Sequence, residues 1–139
     1  MRLSDLETKR AELLKELSLV GDMRSGSLSL RYQKCGKHPC VCHEGGHPGH
    51  GPIYSFSRLV EGKTRIRNYK EGPALKKLVW EVENYERFRS LSRELIAVSE
   101  KISDLRPVVA ISGVQEEEEL KKKLQKRFAK RSRRKLIAS

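Results

Sequence analysis

Lys34-Cys-Gly-Lys-His-Pro-Cys-Val-Cys-His-Glu-Gly-Gly-His-Pro-Gly-His-Gly-Pro52 holds all three cysteines and all four histidines of the chain, crowded between Cys35 and His50. Glycines and prolines fill the spaces between them, so the stretch cannot build a hydrophobic core and must be ordered by other means. Thiolate and imidazole are the donors zinc prefers, and four of them close a tetrahedral structural site. The expected ligands are Cys35, Cys40, Cys42 and one histidine. His50 is preferred because His-Gly-Pro leads straight into Ile53-Tyr54-Ser55-Phe56, where an anchored side chain would set the start of a strand; His47 is the alternative. His38 and His43 sit within the short loops of the cysteine cluster and are poorer candidates. The competing arrangement is a loop with free thiols or one disulfide. A catalytic metal would need an open coordination position and a general base nearby. With four good donors and Glu44 as the lone carboxylate in the cluster, a closed structural site is expected.

Working outward, the residues on either side alternate with the period of a strand. Leu28 and Leu30 alternate with Ser27, Ser29 and Arg31 ahead of the cluster, and a second strand is expected over about 53–59. Glu61-Gly62 marks a tight turn into a third strand, Lys63 to Tyr69. On that strand Lys63, Arg65, Arg67 and Tyr69 share one face, because side chains alternate across a strand, and Arg58 is placed to join them. A basic strip of this kind suits a phosphate backbone.

Helices flank the strands. Ser4 and Glu7 have the spacing of a capping box, and Leu3, Leu6, Leu13, Leu17 and Val20 form a narrow apolar seam, so residues 4–20 should be helical and should meet one partner helix. Gly72-Pro73 opens a longer element in which Leu75, Leu78, Val82, Tyr85, Phe88, Leu91, Leu95, Val98, Ile102 and Leu105 recur at threes and fours as far as Arg106-Pro107. Such a helix would reach about 50 Å, and antiparallel pairing with residues 4–20 would cover only part of it. A homodimer along the uncovered part is the expected solution, with Trp80, off the stripe, packing on the sheet. A third helix should begin at Gln115, with Glu116 to Glu119 in its first turn and Leu120, Leu124 and Phe128 as its seam.

The fold class expected is therefore α+β: a small zinc-stabilised antiparallel sheet between an N-terminal helix and a long coiled-coil-like helix, plus a basic C-terminal helix or tail. The segments are 1–23, 24–71, 72–106 and 107–139.

Charge narrows the partners. The net charge is +12 with a pI near 9.9, and 35% of residues are charged. The excess is concentrated: residues 24–70 carry nine basic and two acidic side chains, and ten basic residues with no acid lie between Lys121 and Lys135. Polyanions are the natural partners, DNA ahead of RNA. The expected phosphate contacts are Arg31, Lys34, Lys37, Arg58, Lys63, Arg65, Arg67 and Lys70 on the strand module, with Lys126, Arg127, Lys130, Arg131, Arg133 and Arg134 on the C-terminal segment. No run of about eighteen apolar residues offers a membrane span, and Met1-Arg-Leu-Ser-Asp-Leu-Glu lacks the apolar core of a signal peptide, so a cytoplasmic protein is expected. No glycine-rich phosphate loop and no nucleophile-base spacing is present, and an enzyme is not expected.

Taken together, Gly26-Ser-Leu-Ser-Leu-Arg-Tyr-Gln-Lys-Cys-Gly-Lys, Cys-x-Cys, His-Gly-Pro-Ile-Tyr, Gly62-Lys-Thr-Arg and Asn84-Tyr-Glu-Arg-Phe-Arg resemble a family of small uncharacterised bacterial and archaeal proteins, often encoded among mobile-element genes. The resemblance covers roughly residues 24–96. It implies Cys35, Cys40, Cys42 and His50 as recurring ligands, and it implies work on mobile DNA by association; it supplies no activity. The extra His47 and the basic C-terminal segment depart from the family pattern.

Overall fold

The computed structural model describes residues 1–138, with side chains described as far as Arg134; Ser139 and the Lys135 side chain, both in the expected basic segment, lie outside the described residues. Six elements follow one another: α1 (Leu3–Ser18), β1 (Ser27–Gln33), β2 (His50–Val60), β3 (Lys63–Tyr69), α2 (Pro73–Leu105) and α3 (Val114–Ala138), with one 3-10 turn at Val41–His43 between β1 and β2. The fold is α+β. The chain divides into two units, Met1–Leu105 and the segment from Arg106 onward. Among the described residues, no helix is long and apolar enough to cross a membrane.

The three strands form one antiparallel sheet in the order β1-β2-β3. Val60 pairs with Lys63, so the β2-β3 turn has just Glu61 and Gly62 at its corners. Both take positive φ, +50° and +78°. That is the backbone of a hairpin turn whose twist matches the strands, which glycine adopts freely and glutamate adopts at a cost.

Register decides which face is inner. Leu28 lies opposite Phe56 and Phe56 opposite Arg67, while Leu30, Tyr54 and Tyr69 form the next row. Phe56, with Leu28, Tyr54 and Tyr69 around it, packs on Leu75, Leu78 and Val82 of α2. Leu78 is 1% exposed, and burying such a side chain stabilises the fold by about 1.5–3 kcal/mol. The opposite face carries Ser29, Ser55 and Asn68, with the Ser55 hydroxyl donating to Asn68 Oδ1 at 2.7 Å.

A second cluster lies farther along α2, where Leu91, Val98 and Ile102 pack on Leu6 and Leu13 of α1. The two helices are antiparallel: Glu16 lies 4.0 Å from Arg87, and Asn84 Nδ2 donates to Asp22 O at 2.8 Å, so positions rise along one chain segment as they fall along the other. The stripe of α2 is thus shared between two partners, the sheet on its first turns and α1 on its later ones. Ile96 and Leu105, on the later turns of α2, nonetheless remain more than half exposed.

Two local expectations are corrected. The start of α1 does not use Ser4 and Glu7: the helix begins one residue earlier, Asp5 Oδ2 accepts the Arg2 N–H at 3.2 Å, and Ser4 lies inside the first turn with its carbonyl accepting from Thr8. Trp80, expected on the sheet, is half exposed with its indole against Gly21, in the link between α1 and β1.

Within the second unit, α3 opens with Glu116 and Glu117 in its first turn. Ser112 donates to Glu116 Oε2 from its N–H at 2.6 Å and its hydroxyl at 2.9 Å. These two bonds, backbone first, hold the Glu116 carboxyl below its ordinary range.

Candidate metal centre

The connection from β1 to β2 folds back on itself, so that residues leaving one strand meet those entering the next. Cys35 follows β1, Cys40 and Cys42 flank Val41 at the 3-10 turn, and His50 is the first residue of β2. One donor atom from each of the four lies within 4.8 Å of all the others. The Sγ atoms of Cys35 and Cys42 are 3.5 Å apart, and Cys40 Sγ lies 3.4 Å from His50 Nε2. Thiols at that separation are not bonded, since a disulfide needs about 2.05 Å, and all three cysteines are free. The four side chains together could hold a metal ion.

Backbone and neighbouring rings position these donors. The Cys35 N–H donates to Cys42 Sγ at 3.4 Å, and Cys42 is fully buried. His43 lies within hydrogen-bond distance, 2.6 Å, of the Cys35 carbonyl through Nε2; a carbonyl can only accept, so the ring donates. His38 stacks on His43 with 3.9 Å between ring centroids. His47, the alternative ligand, uses Nδ1 to accept the Gly49 N–H at 3.0 Å and is not among the four clustered donors. Gly49 has φ +105°, and a Cβ there would lie 2.7 Å from the Gln33 backbone, so the turn that delivers His50 to the cluster depends on glycine.

Thiol acidity follows the same contacts. The Cys42 N–H, then the side chains of Cys35, Cys42 and His50, lower the Cys40 thiol to about 6. Burial, above all, pushes the Cys42 thiol up. Thiolate is the form that binds metal, so Cys40 is poised for a cation while Cys42 must gain one to offset its desolvation.

The basic residues expected to touch phosphate do not form one strip. Arg31 pairs with Ile53 and faces away from α2; Lys34 and Lys37 lie exposed by the metal loop, and Lys70 follows β3. Arg58 sits opposite Arg65, with Arg67 beside Phe56 and Lys63 opposite Val60, all on the face that α2 packs against. The strip expected over Lys63, Arg65 and Arg67, with Arg58, therefore shares one face as expected; that face is the inner one, extending past the part that α2 covers, and its arginines are exposed there. In α3, Lys126, Arg127, Lys130, Arg131, Arg133 and Arg134 are all exposed, and Arg127, Lys130, Arg131 and Arg134 share one side. The structure also brings Arg24 into the inner-face group. No periodicity marks Arg24, which stands alone between α1 and β1, and its partner Glu81 is 57 residues away.

A family model described as a domain of unknown function (DUF6788) matches residues 3–70. The matched region takes in α1, the sheet and the whole cysteine cluster, and stops short of α2 and α3. Comparison with curated proteins and with solved structures gave no match.

Proposed function

We propose that this chain is a non-catalytic nucleic-acid-binding protein whose sheet is stabilised by a structural zinc ion, with DNA as the preferred polyanion. Zinc is favoured by the donor set. Bond lengths of about 2.3 Å to sulfur and 2.0 Å to nitrogen place tetrahedral neighbours about 3.5–3.8 Å apart, close to the 3.5 and 3.4 Å separations here. Three cysteines and a histidine close the coordination sphere, which suits a structural ion better than a catalytic one. When bound, the ion supplies the fixed cross-link between β1 and β2 that the glycine-rich connection lacks.

The observation that carries the nucleic-acid reading is the alignment of Arg58, Lys63, Arg65 and Arg67 on one sheet face, together with a basic α3. Such charge releases condensed cations from a phosphate backbone on binding. The genomic company of the family that the sequence resembles favours mobile DNA, with the protein as accessory or regulator. Fluorescence anisotropy with labelled DNA and RNA over a salt series tests the reading: affinity should fall linearly on a log-log plot, with a slope near −0.9 per duplex phosphate contacted. Binding weaker than micromolar to every nucleic acid at low salt would overturn it.

A protein-interaction scaffold is the second reading, favoured by the shallow apolar recess of Leu95 and Ile96 on α2. A homodimer through this surface is the corresponding proposal. Because Leu95 also packs against the α1 cluster, Ile96→Glu is the cleaner test. Light scattering should show a dimer that this change weakens, and a monomer across the micromolar range in the unaltered chain would remove the proposal.

A further inference from the structure

The inner face of the sheet forms a cleft of about 220 Å³ whose lining includes Arg24, Phe56, Arg58, Arg65, Arg67 and Tyr69, with Ile66 at its border. Arg58 also lines an adjoining recess of about 330 Å³, whose other wall includes Tyr85 and Arg89 of α2. The two recesses share Arg58, and together they present a basic track whose lining includes Tyr69 and Tyr85.

Several features mark the track as built for an anion. Arg58 and Arg65 are directly opposite on neighbouring strands, an arrangement of like charges that destabilises a sheet unless something neutralises it. Among the described residues no carboxylate pairs with Arg58, Arg65 or Arg67. Arg24 is held in place by Glu81, which is 6% exposed: its Nε donates to Glu81 Oε1 at 3.2 Å and its N–H to Glu81 O at 3.2 Å. That bond uses Nε and leaves the two terminal nitrogens for a ligand. Glu81 is thereby neutralised, and the rest of the track keeps its positive charge.

The shape and the rings select the kind of polyanion. The Arg67 guanidinium lies 5.0 Å from the centre of the Tyr69 ring, and the Arg89 guanidinium 5.7 Å from that of Tyr85. Arginines tracking a backbone, interleaved with aromatic rings, are the means by which proteins hold unpaired strands, because splayed bases stack on the rings. A duplex keeps its bases stacked inside and offers these tyrosines no base face. Its phosphates lie on the outside of a cylinder too broad to enter either recess.

We propose that this track is a binding groove for an unpaired nucleic-acid strand, with Arg58, Arg65 and Arg67 on its phosphates and Tyr69 and Tyr85 as stacking surfaces. The proposal rests on the nucleic-acid reading and narrows it. α3, which has no recess of this kind among its basic residues except an open groove without aromatic walls, contributes charge without preference between strand and duplex.

The test uses the full, metal-loaded chain and three labelled probes of equal length: oligothymidine, its RNA counterpart and a DNA duplex. The unpaired probes should bind at least about tenfold tighter than the duplex, the scale of one stacking contact. Arg65→Ser with Arg67→Ser should abolish this preference while leaving weak, equal binding to all three, with metal content and circular dichroism unchanged. Tyr85→Leu, a separate change that keeps the helix, should reduce unpaired binding severalfold and leave duplex binding alone; it serves if the double variant does not fold. Equal affinity of the unaltered chain for strand and duplex, or a preference that survives both changes, overturns the groove while leaving the nucleic-acid reading intact. Failure to bind any probe overturns both. A preference for RNA over DNA among the unpaired probes supports the groove and names its source.

Discussion

The basic face of the sheet and the basic face of α3 carry charge of the same sign in opposite settings. On the sheet, Arg58, Arg65 and Arg67 stand in a register fixed by hydrogen-bonded strands, beside a buried Phe56 and an Arg24 tied to Glu81. In α3, every described side chain is exposed, including the seam of Leu120, Leu124 and Phe128. Charge density by itself treats the two alike. The difference lies in the surroundings: Arg24 is tied to Glu81 and Arg67 lies over the Tyr69 ring, so part of their ordering cost is met by folding, whereas the arginines of α3 lose their freedom only when a ligand arrives.

The largest effect expected comes from losing the proposed metal ion, because that separates the two regions outright. Cys42→Ser removes the fully buried donor and should release the ion, loosening the β1-β2 connection and the arginine register with it, while α3 stays helical. Metal content and circular dichroism of the variant check this, and retained metal would contradict it. Next, Leu78→Ala empties the centre of the contact between α2 and the sheet and should lower stability by about 2–5 kcal/mol, measured by chemical denaturation. Binding through the sheet should weaken near the new midpoint, and the α3 contribution should persist.

Acid acts on the other region. Glu116 has its carboxyl held below the ordinary range by Ser112, so its support for the start of α3 is present at neutral pH. That support is lost as the pH falls below about 4, the usual carboxylate value, and the group regains its proton. Helicity of α3 should fray from its start over that range, and Ser112→Ala should move the fraying to higher pH. The smallest effect belongs to the turn. Glu61 holds a positive φ, and Glu61→Asn should stabilise the hairpin by about 1 kcal/mol, sharpening the register that distinguishes the sheet from α3.

Much of this organisation was legible in the chain. The period-two alternation, Glu61-Gly62 and Gly72-Pro73 predict the strands, the turn and the long helix, and the cysteine spacing points to the four donors that fold together. The inner and outer faces of the sheet were not legible. Alternation tells which residues share a face, but the face that meets a helix is decided by pairing: the buried Phe56, its neighbour across the strand, is what places Arg67 on the face that α2 packs against. Arg24, Tyr85 and Arg89 come from parts of the chain that no local pattern connects, and α1 claims the far half of α2 through contacts between residues about ninety positions apart. The capping residue also shifted, since Asp5 reaches the Arg2 N–H that precedes it.

The salt dependence of binding to an unpaired strand separates the arginines of the sheet from those of α3. The account predicts a linear log-log plot for the full chain, flattened by Arg65→Glu with Arg67→Glu by about two contacts, roughly 1.4 in slope at about 0.7 per single-strand phosphate, with metal still bound. A slope unchanged by those two substitutions would contradict it.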